Sequence, residues 1–337
     1  MARDRRPNLA DHRPRQASGF AEHDMSGSMM RIAVAGTGGL ARFIAHFVQQ
    51  DTAHHVVLLS REEKPELSRD HQVIVVDYTN IQTLQFALRG IDTVISTVTG
   101  QNQIELIRAA ISVRVRRFAP AEFEGSPSLR PETSPLDRGR TAAGRWMAYY
   151  GQHIETTVFV CGILYERFQP NGLRQTRMGL GSGLSNEGDY IMNCRTMSAQ
   201  APAFDVNNLP NVTVCMTSAQ DVAKFVTKAL DMPRWPSELQ MCGERITVKD
   251  LIATVQQMKG QPFNPISWHN PATLRAALDV ATARRDPALQ IRLHALIATT
   301  EGQYDFPEPA NMNEAFPDIR PVSFQTWFAA RWNLQRG

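Results

Sequence analysis

The sequence predicts an α/β fold whose first half is a doubly wound parallel sheet, followed by a smaller, loop-rich lobe. Three observations carry this. Short apolar runs recur through the first 160 residues, they alternate with segments of helical periodicity, and the first runs straight into glycines. The runs are continuous rather than alternating, which marks strands buried on both faces. Strands separated by helices form a parallel sheet. With 337 residues, 42% of them hydrophobic and 20% charged, the chain can build a packed core.

Taken in order, the strands are 31–35 (RIAVA), 56–59 (VVLL), 73–76 (VIVV), 93–97 (TVIST) and a core at 117–119. Between them, residues 40–50, 81–88 and 103–111 carry apolar residues at helical spacing, with Thr79-Asn80 as caps for the second helix. Residues 126–138 are rich in Pro and Ser and read as a loop, before a helix at 141–150 and a sixth strand at 155–160. Residues 170–215 are dense in Gly, Asn and Pro, as expected of a loop-rich lobe. Amphipathic helices follow at 219–230 and 248–258, the second stopped by Lys259-Gly260, with further helices at 275–283 and 289–299. The expected organisation is a tail at 1–28, a nucleotide-binding domain at 29–160 with sheet contributions from later segments, and a substrate-binding lobe at 161–337.

The tail holds five arginines and almost no large apolar residue, so it reads as disordered. Asp4, Asp11, Glu22 and Asp24 spoil the acid-poor pattern of an import leader, and Met29 or Met30 would make a natural start before the first strand. A net charge of +3 argues against a nucleic-acid partner. No apolar run reaches membrane-spanning length, so no membrane partner is expected. The four scattered cysteines have neither zinc nor disulfide spacing and fit a reducing, cytoplasmic location. Nothing in the sequence specifies an oligomeric state.

Gly36-Thr37-Gly38-Gly39-Leu40-Ala41 fits G-x-G-x-x-A between a strand and a helix, the context of a Rossmann-type dinucleotide site. The chain there must turn tightly and let its backbone approach a pyrophosphate at a helix N-terminus. The second strand ends Ser60-Arg61 rather than in the acidic residue that binds both ribose hydroxyls of NAD. A hydroxyl and a guanidinium suit a 2′-phosphate, with Arg42 as a further cation, so the expected cofactor is NADPH despite Glu62 and Glu63 nearby. Thr97, Val98 and Thr99 at the end of the fourth strand, and Gln101 after it, are expected beside the cofactor.

These residues resemble a known family. Ala35-Gly36-Thr37-Gly38 with Ala41-Arg42 is similar to the G-G-T-G-x-x-G-K/R loop of the NmrA-like, isoflavone-reductase-like proteins, an atypical branch of the short-chain reductases. Ser60-Arg61, the 92–98 strand, Arg117-Phe118-Ala119-Pro120-Ala121-Glu122-Phe123 (against R-F-x-P-S-E-F), Gly162 with Phe168, and 218–223 extend the resemblance over residues 30–260. It implies a Rossmann domain, NADPH and reduction of small secondary metabolites, often aromatic or alkaloid. The family also includes members that sense NADP(H) without catalysing. The departures matter as well. Ala121 replaces the signature Ser, no Lys lies between 65 and 223 where the reductases carry a catalytic one, and no Tyr-x-x-x-Lys pair exists.

Arginine stabilises charge but is a poor proton shuttle, so the loss of Ser and Lys narrows the chemistry. An iminium already carries the charge that draws hydride and needs no accompanying proton. The expectation is therefore an NADPH-dependent reductase of a small intermediate, with an imine or iminium as the most economical substrate. Glu122 would favour the cation if it faces the pocket, and is otherwise a structural hydrogen-bonding residue. Arg138, Arg140 or Arg145 falls in the neighbourhood of the missing Lys, and Arg140, the one carried forward, otherwise makes a surface salt bridge. Tyr165 is the alternative proton donor for a carbonyl or alkene, lining a pocket with Phe168 or packing in the core. The competing reading is a non-catalytic NADP(H)-sensing regulator.

Overall fold

A computed structural model describes residues 29–334, so the expected tail at 1–28 lies outside the described residues. Six strands form one sheet: β1 (Arg31–Ala35), β2 (His55–Ser60), β3 (Gln72–Val75), β4 (Thr93–Ser96), β5 (Arg117–Ala119) and β6 (Glu155–Thr156). Their spatial order is β3-β2-β1-β4-β5-β6 and every pairing is parallel. The helices between them are α1 (Gly39–Asp51), α2 (Ile81–Leu88), α3 (Gln101–Ser112) and α4 (Arg140–Tyr149).

Successive residues of a strand point to opposite faces, and here both faces are buried. Ile32, Val34, Leu58 and Ile95 pack with α1 on one side. Ala33, Ala35, Val57, Leu59 and Val94 pack with α2 and α3 on the other. The Asn80 side chain caps α2 by accepting from the Gln82 and Thr83 N–H groups. Strand order reverses between β1 and β4, the switch point at which open α/β sheets bind ligands beyond the strand ends.

Two expectations change. The apolar run 155–160 is not one strand. Residues 155–156 pair with β5, whereas Val158–Val160 pairs with Glu238–Gln240 in a separate two-stranded sheet. The chain leaves the main sheet at Thr157. The later contribution to the nucleotide-binding core is also largely helical. Helix α5 (Ala219–Ala229) lays Ala219, Val222, Ala223 and Val226 on Ala41, Ile44, Ala45 and Val48 of α1.

Arg117 locks this arrangement. Its side chain is 1% exposed, and Nε donates to Glu155 Oε2 at 2.5 Å. Its terminal nitrogens reach the carbonyls of Leu230, Met232 and Pro233 at 2.9, 2.7 and 3.0 Å, just beyond α5. One guanidinium thus ties β5 to β6 and to the exit of α5. The rest of the chain builds a second core, in which Tyr165, Phe168 and Val214 meet Phe324, Trp327 and Phe328 of a C-terminal helix, Phe324–Trp332. At its border, fully buried Glu166 accepts the Ala219 N–H at 3.1 Å on both carboxylate oxygens, at the start of α5.

Removing the Arg117 guanidinium strands Glu155 and three carbonyls, of which that of Leu230 is buried. Arg117→Ala should cost about 3 kcal/mol in urea unfolding. An unchanged midpoint would show that the tie is dispensable. For Glu166, burial pushes the carboxyl up to about 7, against the lowering effect of the Ala219 N–H. The folded protein then holds a proton that the unfolded chain releases near 4.5. Stability from this group is full below the unfolded value and falls as pH rises through about 7, by about 3 kcal/mol in all. Wild type should therefore lose ground against Glu166→Gln between pH 4.5 and about 8. Parallel stability–pH curves for the two proteins would refute this.

Candidate active site

A cleft of about 500 Å³ opens along the C-terminal ends of β1, β2, β4 and β5. It runs from Gly36, Thr37, Gly38 and Leu40, beside Ser60 and Arg61, past Thr97 and Asn102, to Arg140, Tyr190 and Tyr304.

At the first end, Gly36 has φ +114°, a region side chains rarely adopt, and a Cβ there would run into Thr97 Oγ1. Thr97 is itself held by β1, donating through both Oγ1 and N–H to the Ala35 carbonyl at 2.8 and 2.9 Å. The N-terminus of α1 has no side-chain cap, so its first N–H groups remain available to an anion. These features fit a dinucleotide pyrophosphate. Arg42 does not line the cleft. It braces the loop, donating from Nε to the Thr37 carbonyl at 2.9 Å, and lies 3.5 Å from Glu66. Gly39 is also outside the lining, because the Thr176 carbonyl covers it.

Ser60 Oγ donates to the Glu62 carbonyl at 2.7 Å and accepts its N–H at 3.3 Å, a local turn that holds the 60–62 backbone. Arg61 is exposed, lines the cleft and has no acidic ion-pair partner among the described residues. Glu62, the counter-indication in the sequence, is engaged by Lys64. The hydrogen bond and charge of that ammonium hold the carboxyl below its ordinary range. The surplus positive charge at this end suits a 2′-phosphate.

Several expected residues fall elsewhere at the second end. Gln101 faces away from the cleft and donates to Glu105 at 2.8 Å, and Asn102 takes the lining position. Glu122 is buried and does not line the cleft. Arg130 grips it with two hydrogen bonds, at 2.7 and 3.0 Å, so it is a structural ion-pair residue. Tyr165 is fully buried, its ring against Phe324 and Trp327 and its hydroxyl donating to the Val322 carbonyl at 3.2 Å. Core packing has claimed it, and Phe168 with it. Arg140 does line the cleft, as a fixed charge rather than a surface one. Its guanidinium donates to Glu124 at 2.7 Å and to the carbonyls of Leu136 and Asp137 at 2.6 and 3.0 Å.

Sequence reasoning missed three residues here. Glu124 is the carboxylate of this end. Burial raises its pKa, but the charges of Arg140 and Arg167 outweigh that and bring it down to about 2. Tyr190 and Tyr304 close the cleft, their rings edge-to-face at 6.3 Å. The Tyr190 hydroxyl is paired to Thr299 at 2.6 Å, whereas that of Tyr304 has no hydrogen-bond partner among the described residues. Burial and the nearby Glu124 carboxylate raise the Tyr304 pKa, and the charges of Arg167, Arg140 and Arg130 only partly oppose the rise. Arg138 carries φ +53° and donates to Thr99 Oγ1 at 3.1 Å. Desolvation, with Arg140 and Arg167 nearby, lowers its pKa. No local sequence signal marks the tyrosines, which lie far along the chain from the glycine loop.

Comparison with known proteins agrees with this geometry. Residues 35–150 match a family model described as NAD(P)H-binding. The oxidoreductase BOA1 of Botryotinia fuckeliana is 27% identical over 336 residues, covering 89% of this chain and 98% of that protein. An isoflavone reductase crystal structure superposes with a TM-score of 0.66 at 14% identity, and AtPrR2 with NADP+ and (+)-pinoresinol with 0.66 at 18%. Each covers 90% of this chain and 99% of its own. No helix among the described residues is long and apolar enough to cross a membrane. Residues 35–150 are thus an NAD(P)H-binding domain, and the whole chain stands among oxidoreductases with the fold of the isoflavone reductases.

Proposed function

We propose that the protein is an NADPH-dependent reductase of a small molecule with a polarised C=O, C=N or conjugated C=C bond, and that Tyr304 is its proton donor. The observation that carries this is a single cleft joining the glycine loop and Arg61 to an unpartnered phenol set among arginines. NADPH, when bound, supplies the hydride. Gly36 and Gly38 admit its pyrophosphate, and Arg61 favours a 2′-phosphate, while Ser60, its hydroxyl already given to the Glu62 carbonyl, holds the backbone of that turn. As hydride reaches the substrate carbon, the electrons of the double bond move to its far atom, which takes the Tyr304 proton. The charges of Arg167 and Arg140 offset part of the burial and Glu124 charge that oppose a phenolate there, and solvent returns the proton.

An iminium substrate is less favoured than the sequence suggested. The missing Ser and Lys still leave that chemistry open, but its electrostatic support was Glu122 facing the pocket, and Glu122 is instead paired with Arg130. The one carboxylate lining this end, Glu124, is outnumbered by Arg138, Arg140 and Arg167. Net positive charge repels a preformed cation and favours a neutral group that gains negative charge during reduction. A secondary-metabolite substrate rests on the family resemblance alone.

Two experiments test this reading. In a nicotinamide-fluorescence titration, Arg61→Ala should weaken NADPH about tenfold or more and leave NADH unchanged. Equal weakening of both would remove the 2′-phosphate role. With a panel of ketones, enones and cyclic imines, NADPH consumption should be detectable, and Tyr304→Phe should lower kcat by about 10²–10⁴-fold with NADPH affinity intact. Undiminished turnover in the variant would eliminate Tyr304 as donor. Tight NADPH binding without any turnover would return the regulator reading.

A further inference from the structure

The second lobe sends one segment back across the glycine loop. A short 3-10 helix, Gly172–Thr176, ends at Arg177, which adopts φ +54° and ψ 36°. Both sides of the segment are anchored. The Gln169 side chain donates to the Gly172 carbonyl at 3.0 Å, the Asn171 N–H donates to Glu187 at 2.9 Å, and the Arg174 N–H donates to the Ser185 carbonyl at 2.9 Å. Leu173 and Met178 are buried in the same core as Leu40 and Ala41 of α1. The segment's backbone rests on the loop itself. A Cβ on Gly38 would lie 2.7 Å from the Arg177 carbonyl oxygen, and one on Gly39 would overlap the Thr176 carbonyl.

This contact delivers a cation. Arg177 is exposed and lines the cleft together with Ser60, Arg61, Glu62 and Lys64. Its charge reaches the Glu62 carboxylate, but it makes no ion pair among the described residues. Since Lys64 already pairs with Glu62, two guanidiniums, Arg61 and Arg177, line the cleft near that carboxylate with no ion pair of their own among the described residues. A left-handed, non-glycine residue carries a cost in backbone energy. Here it sits where the second lobe meets the nucleotide-binding loop, the kind of place where such strain is kept for function.

We propose that Arg177 is a second specificity residue for the cofactor, which binds the 2′-phosphate of NADPH together with Arg61 and thereby clasps the 172–182 segment over the bound nucleotide. The proposal rests on the NADPH reading above. NADH lacks the phosphate, so it would bind without engaging the clasp. A guanidinium matches a phosphate bidentately, and a dianion between two of them is held by charge-assisted hydrogen bonds.

The test uses the full chain and needs no substrate. NADPH, NADH, adenosine 2′,5′-bisphosphate and ADP are titrated against wild type, Arg177→Ala and Arg177→Lys, with hydrogen exchange followed over 172–182. In Arg177→Ala, NADPH and the 2′,5′-bisphosphate should weaken about tenfold, while NADH and ADP bind as before, and Arg177→Lys should recover part of the loss. NADPH should slow exchange in the segment more than NADH does, and the difference should vanish in Arg177→Ala. Equal weakening of all four ligands would mean that Arg177 merely shapes the segment, and would overturn the proposal, as would no change at all. A wild-type protein that binds NADH as tightly as NADPH would fail at the cofactor reading itself, before Arg177 is considered.

Discussion

The turn between β1 and α1 has no room for a side chain at Gly36, Gly38 or Gly39, and the rest of the cleft is arranged around that constraint. Gly36 is pressed by Thr97 at the end of β4, and Gly38 by the Arg177 carbonyl of the second lobe. The loop is therefore clamped between the sheet's switch point and a segment more than 130 residues away in sequence. A close backbone approach admits a phosphate because no side chain projects at Gly36, Gly38 or Gly39. The same bareness lets the second lobe dock on it. Two lobes with separate cores thus share one cofactor-sized cleft, and α5, packed on α1, keeps them in fixed relation.

Charge is organised differently at the two ends of that cleft. At the nucleotide end the guanidiniums lack ion-pair partners and sit exposed, which suits a ligand that brings its own dianion. At the far end the arginines are built in. Arg140 and Arg167 share Glu124 and Arg130 holds Glu122, whereas Arg138 is exposed and donates to Thr99. Such a network holds its charges in place before a substrate arrives, which is what electrostatic assistance to a reaction requires. Tyr304 stands at its edge with a proton and no competing acceptor among the described residues.

Much of the sheet was legible because its signals are local. The strand cores at 31–35 and 117–119 and the helix at 81–88 with its Asn80 cap appear where their residues put them. The run 155–160 misled because hydrophobicity does not say which sheet a strand joins, and the chain changes sheets at Thr157. The C-terminal helix Phe324–Trp332 was missed although Ser323, Phe324, Trp327 and Phe328 are a cap followed by apolar residues at helical spacing. Glu122 and Glu124 could not be told apart. The Glu122 N–H turns back to the Pro120 carbonyl just beyond β5, so strand alternation no longer says which side chain faces the ligand.

The sequence by itself determined the doubly wound sheet, the glycine turn and the Ser60-Arg61 strand end, since each depends on spacing within a few residues. Only the tertiary structure decided which titratable groups meet in the cleft. Tyr165 went to the core and Tyr304 to the cleft, Glu122 to Arg130 and Glu124 to Arg140. Arg177 reached the glycine loop from another lobe. These outcomes depend on which distant surfaces pack together and which polar groups find partners when buried, and neither is encoded in the periodicity of any one segment.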